Sequence, residues 1–182
     1  MFTTTLHTNK LKALFTLFLL LVSSITIAQK GYPVPKKEAH HLFYIQHSNN
    51  HNTYVYNANI TNGNIDAEDP VEAYRVVYTE GGIRKSLSAI QQRLAYGMVA
   101  TYVSPNKFKM HLAASKKLTF HLTMVDGKAQ VYATINNKKM YLTHIFIELK
   151  STGIGAKAKH AIFYGNDYTT HQLVTEKVFV ED

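Results

Sequence analysis

The sequence predicts a mainly β domain, an antiparallel meander closing as a barrel (the alternative being a β-sandwich), with one short helix. Three observations carry this reading. From His40 onward, runs rich in Tyr, Val, Ile, Phe and Thr are separated by turn signals at spacings of roughly 8–12 residues. In the central runs apolar and polar residues alternate strictly, which gives a strand one buried face and one face that is wet or partner-bound. A single segment, Ser86 to Gly97, breaks that rhythm with helical spacing. The chain of 182 residues is 46% hydrophobic and 18% charged, enough apolar surface for one folded domain and too much for a disordered chain.

Taken in chain order, Lys10 and Lys12 precede an uncharged stretch from Ala13 to Ala28 that is dominated by Leu, Phe and Val and ends Thr26-Ile27-Ala28. Its 16 residues fall short of the ~20 needed to span a bilayer, and small residues close it, so residues 1–28 are expected to be a cleaved signal peptide. The domain is then exported, periplasmic or extracellular. Removing Lys10 and Lys12 leaves 18 Lys plus Arg against 12 acids, a net charge of +6. A basic exported domain meets small anionic molecules and anionic envelope components, headgroups or glycans, rather than nucleic acid. No later segment reads as a transmembrane helix. Residues 29–39 contain Pro33 and Pro35 among charges and are expected to form an extended, mobile lead-in to a single β domain over 40–182.

Ten strands are predicted: Leu42 to His47, Thr53 to Ile60, Val71 to Thr79, Met98 to Val103, Lys107 to Ala113, Leu118 to Val125, Lys128 to Ile135, Lys139 to Lys150, Ala161 to Tyr164 and Gln172 to Val180. Asp126-Gly127 is a two-residue hairpin turn, which sets Leu122 opposite Val131 and Phe120 opposite Ala133. Asn136-Asn137 makes a second such turn, setting Val131 against Leu142 and Ala129 against His144. One face then carries Leu118, Phe120, Leu122, Met124, Val131, Ala133, Met140, Leu142 and Phe146; the other carries Thr119, His121, Thr123, Gln130, Tyr132, Thr134 and Tyr141. In the helical segment, Leu87, Ile90 and Leu94 define an apolar side, Ser86 serves as N-cap and Gly97 as a left-handed stop. A membrane barrel is disfavoured because Lys107, Lys109, His111, Thr119, His121 and Thr123 would face lipid.

The absence of Cys excludes disulfides, thiolate metal sites and Cys nucleophiles. No G-x-S-x-G, H-E-x-x-H or phosphate-binding glycine loop occurs, and no cofactor is implied. The segments Leu42-Phe-Tyr-Ile-Gln46, Asn52-Thr53, Leu87-Ser-Ala-Ile-Gln91 with Ala95-Tyr-Gly97, Ser115-Lys-Lys117, Tyr132-Ala-Thr-Ile-Asn136 and Ile145-Phe-Ile147 resemble a bacterial family of exported proteins known as domain of unknown function 4833. The resemblance covers about His40 to Val180, and its most specific part is the block from Leu87 to Gly97. It implies no activity and no catalytic residues. The chain departs from that family's pattern at His144, where Arg is expected, and over Ser151 to Ala156, where an aromatic-bearing Gly-Gly-Ser-Phe-like segment is usual.

Histidine is the residue type in excess, with nine remaining after export. His111 and His121 lie on the polar face within direct or diagonal reach, and Tyr132 and Tyr141 extend them into a row across four strands. His144 falls on the apolar face, where an imidazole must find a partner or border a polar cavity. These five residues are the candidate ligand-binding set. His40, His41, His47 and His51 are alternative metal ligands, and Asn62 to Asp69 offers oxygens at alternate positions as a calcium loop does, although turn chemistry explains it without an ion and the loop's Gly and terminal Glu are absent at the required spacing. The preferred function is an exported, non-catalytic domain that binds a ligand or the envelope. The alternative is a His-based hydrolase or metal-dependent enzyme, with His144 as base or His40, His41, His47 and His51 as ligands.

Overall fold

The computed structural model describes residues 32–151 and 156–180. The predicted signal peptide and most of the Ser151 to Ala156 segment lie outside the described residues. Thirteen strands form among those described: β1 (His41–His47), β2 (Asn50–Ala58), β3 (Ile60–Thr61), β4 (Asn64–Ile65), β5 (Val71–Val77), β6 (Ile83–Ser86), β7 (Met98–Ser104), β8 (Lys107–Leu112), β9 (Ser115–Val125), β10 (Lys128–Ile135), β11 (Lys138–Leu149), β12 (Ala158–Asp167) and β13 (Leu173–Phe179). The ten predicted strands are all present, and β3, β4 and β6 are short additions. The protein is mainly β, with one short helix and a strongly curled mixed sheet that makes a half-barrel.

The long strand β11 organises the sheet. One of its edges pairs with β12 from Met140↔Asp167 to Leu149↔Ala158, and β12 in turn pairs with β13. The other edge is shared between two partners. It runs antiparallel to β10 as far as Tyr132↔Tyr141, then parallel to β1 from Tyr44↔His144 to His47↔Ile147. Two wings therefore diverge from β11, one in the order β1-β2-β5-β6 and one in the order β10-β9-β8-β7.

The meander wing follows its turn chemistry. Asp126 and Gly127 have φ of 49° and 72°, and Asn136 and Asn137 have 48° and 65°, the left-handed pairs that match the twist of a two-residue hairpin. The registers Leu122↔Val131, Phe120↔Ala133 and Tyr132↔Tyr141 follow from those turns. Phe120, Leu122, Val131, Ala133, Met140 and Leu142 enter one core with Phe43, Ile45 and Tyr56 of the other wing, and Phe43 stacks on Tyr56 at 4.6 Å.

Where β11 changes partner, the ladder shifts between Leu142 and His144. Gly165 of β12 lies against this bulge so closely that a Cβ there would sit 2.2 Å from the Tyr141 carbonyl oxygen. The extra residue reverses the side-chain alternation: Met140 and Leu142 point inward, and after the bulge Ile145 and Ile147 do. His144 and Phe146 are thereby moved to the outer face. His144 is opposite Tyr44 and Tyr164 rather than Ala129.

Two further expectations are corrected. The helical segment is a single turn, α1 (Ala89–Gln91), capped by Ser88 rather than Ser86, with the Gln91 side chain returning to the Ser88 N–H, and it continues as a π-helical turn over Gln92–Tyr96. The wider turn rotates the apolar side away from the sheet, leaving Ile90 67% and Leu94 60% exposed while Leu87 and Tyr96 pack on the core. Gly97 is extended, with φ of −61°, and a Cβ there would fall 1.9 Å from the Gln92 carbonyl oxygen. The lead-in is extended but docked. Pro35 is buried, the Pro33 carbonyl accepts a 2.9 Å hydrogen bond from Gln46 Nε2, and Glu38 holds Asn57 Nδ2 and Arg84.

Candidate anion-binding face

The outward residues of the meander wing form one row across the strands: Thr101, Lys109, His121, Tyr132, Tyr141 and Asn166 are successive register partners. The His121 and Tyr132 rings lie parallel, 4.7 Å apart and 6° from coplanar, and Tyr132 meets Tyr141 edge to face at 6.4 Å. His121, Tyr132 and Tyr141 are therefore brought together as the sequence indicates. His111 is two residues along from Lys109, the direct partner of His121, so it is a diagonal neighbour at the margin.

The turn after β12 completes the site. Asp167 Oδ1 accepts from the N–H groups of Thr169 and Thr170 at 2.9 and 2.7 Å, and the Tyr168 N–H donates to the Lys139 carbonyl at 3.0 Å. This folds Tyr168 over β11, where it stacks on Tyr141 at 4.8 Å and meets the Tyr132 ring at 5.2 Å. Lys139 Nζ sits between those rings, 3.4 Å from the Tyr168 centroid and 4.3 Å from that of Tyr132. Next to them is a cleft of about 260 Å³ lined by Lys107, Lys109, His121, Thr123, Tyr132 and Tyr168.

Charge governs the chemistry available here. Lys107, Lys109 and Lys139 make no ion pair among the described residues. Burial, with the Lys109 and Lys139 charges, lowers the His121 pKa and so favours the neutral ring. The Tyr141 hydroxyl, then Lys139, lowers the Tyr168 phenol. A neutral imidazole, phenolic hydroxyls and flat ring faces beside unpaired ammonium groups suit an anionic ligand with an apolar face. Lys139 and Tyr168 escaped the sequence reading because the Asp167 turn that places Tyr168 is local, whereas its landing point on β11 is tertiary.

His144 stands apart from this cleft. Its ring is sandwiched between Tyr44 at 4.9 Å and Tyr164 at 4.0 Å, each 7° from coplanar. Burial lowers its pKa to about 4, so the imidazole is neutral at physiological pH. The four alternative metal ligands do not form a centre: His41 faces Asn57 across the β1–β2 ladder, and His47 Nε2 is 2.8 Å from the Tyr96 hydroxyl. Among the described residues no group of three or more His, Asp or Glu is gathered as a metal site. Asp66 in the candidate calcium run spends its oxygens on the N–H groups of Glu68 and Asp69 and on Thr61, as a turn does.

No curated protein and no solved structure matches the chain. The profile of a family described as "Domain of unknown function (DUF4833)" matches residues 43–177. That span runs from within β1 to within β13, about three quarters of the chain, so the chain belongs to the DUF4833 family.

Proposed function

We propose that this protein is an exported, non-catalytic binding domain that holds an anionic component of the cell envelope on the outer face of its meander wing. The observation that carries the reading is the Lys139 ammonium seated between the Tyr132 and Tyr168 rings, without a carboxylate partner, beside a cleft flanked by Lys107 and Lys109. A cation fixed in this way, with its carbon stem already packed, binds an incoming anion with little further ordering of the side chain. The predicted leader and the net charge of +6 that remains without it support placing that anion in the envelope.

The test is binding of the purified protein to vesicles of anionic phospholipid and, as a second arm, to a soluble acidic polysaccharide, each at low and physiological salt. Binding to at least one is expected, weakening as salt rises. At about 1 kcal/mol per surface cation, the triple substitution Lys107→Ala, Lys109→Ala, Lys139→Ala should weaken it roughly a hundredfold. Retention of full affinity by the triple variant, or no binding in either arm, would refute the reading.

A further inference from the structure

A second polar constellation lies on the inner face of the sheet, in the wing that does not carry the cleft. Tyr54 of β2 is opposite Arg75 of β5. Its ring stacks on Tyr96 of the π-helical turn and lies 5.5 Å from the His47 ring, and its hydroxyl accepts from Gln91 Nε2 at 3.5 Å. Tyr96 is pinned by His47 Nε2 at its hydroxyl and by the Tyr56 hydroxyl at its carbonyl.

This cluster contains two buried polar atoms, His47 Nδ1 and Arg75 Nε, that make no regular hydrogen bond, although the Asn49 side chain lies close enough to His47 to interact with it. Three other such atoms occur among the described residues. His41 Nδ1 and Asn57 Oδ1 belong to residues that face each other across one ladder, and His160 Nδ1 stands alone near Phe179. His47 and Arg75 are both neighbours of Tyr54, His47 through its ring and Arg75 through strand register. His47 is 3% exposed. Arg75 makes no ion pair or side-chain hydrogen bond among the described residues, although nearby Lys85 has Glu80 and Arg84 has Glu38 and Glu72. The guanidinium is half-buried, and with only Nε enclosed its terminal nitrogens reach solvent. Unsatisfied buried donors call for an explanation, and a lone guanidinium fork fits a planar carboxylate. The π-helical turn that supplies Tyr96 is itself a conformation found frequently at functional sites.

We propose that Arg75, Tyr54, Tyr96 and His47 form a second ligand site, which takes a small carboxylate with its oxygens on the Arg75 fork and its flat carbon skeleton against Tyr96, the half-buried ring of the tyrosine pair. The site is independent of the outer cleft and does not rest on it. The test titrates sodium benzoate, and separately inorganic phosphate, into the purified protein at constant ionic strength, following the Tyr ring resonances and the melting temperature. Saturable benzoate binding is expected, with shifts confined to Tyr54 and Tyr96. Arg75→Gln should weaken it roughly tenfold or more, the loss of a charge-assisted pair. The variant lacking Lys107, Lys109 and Lys139 should bind benzoate as the parent does. Arg75→Met, which keeps the aliphatic stem and removes the unpaired donors, should melt no lower than the parent without ligand; a merely structural arginine would lower it. Undiminished benzoate binding by both Arg75 variants, absence of saturable binding, or phosphate binding there as tightly as benzoate would overturn the assignment.

Discussion

The two wings that leave β11 are built from the same kind of sequence and end up with different outer faces. In the β1-β2-β5-β6 wing the outward Tyr44 and Tyr74 are 7% and 4% exposed: His144 stacks on Tyr44, Arg84 covers the Tyr74 ring at 3.7 Å, and the Pro33 to Glu38 segment is tied to this wing through Gln46 and Asn57. The outward His121, Tyr132 and Tyr141 on the meander side have only Tyr168 laid over them, stay half-buried and share their surface with lysines that make no ion pair. Alternation along a strand tells which residues share a face. Whether that face is wet depends on what else the chain lays across it.

The largest expected effect tests this contrast directly. Tyr44→Ala should lower stability by about 3–5 kcal/mol, as for a core aromatic, whereas Tyr132→Ala should stay within about 1 kcal/mol; equal losses in urea unfolding would abolish the distinction. Gly165→Ala, which puts a methyl into the Tyr141 carbonyl at the branch, should cost about 1–3 kcal/mol by the same measurement. A stability unchanged by that methyl would mean the bulge is not held by close backbone approach.

A smaller effect concerns pH. The His144 pKa is about 4 when folded, below its ordinary 6.5, so as the medium is acidified the unfolded chain takes up that proton first. Its contribution to stability is complete above pH 6.5, declines between 6.5 and about 4, and is gone below. His41, His47, His121 and His160 are lowered too and act in the same sense, chiefly through burial. His144→Phe, which preserves the stack, should therefore make the fall in melting temperature across that window shallower; an unaltered slope would show that the ring is not desolvated. Smallest of all, Glu38→Gln, which weakens the exposed pair with Arg84, should cost about 0.2–1 kcal/mol in urea unfolding. A loss of several kcal/mol would instead make the lead-in a principal support of its wing.

Much of the meander was legible because its information is local. Asp126-Gly127 and Asn136-Asn137 set the registers of three strands, and with them the His121, Tyr132 and Tyr141 row. The face of His144 was not, since it depends on β11 exchanging β10 for a parallel partner that lies in the first strand of the chain. The apolar side of the helical segment misled for a different reason. Leu87, Ile90 and Leu94 follow α spacing, whereas the backbone widens to a π turn at Gln92 and presents Tyr96 instead. Arg75 gave no signal at all, because a basic residue in a strand ordinarily points to water.

The parallel pairing of β1 with β11 also bears on how the chain reaches its fold. Tyr44 meets His144, and the Ser48 hydroxyl accepts from the N–H of Leu149, 101 positions away. Each hairpin of the meander closes over a few residues, but this contact closes a loop of about a hundred, whose entropy must be lost before any reward is gained. The β7–β10 ribbon can therefore assemble early and by itself, while β1 waits until the C-terminal third has formed its strand. Until then the core side of Phe43 and Ile45 is uncovered, which makes the interval before that docking step the period in which this chain is most exposed to aggregation.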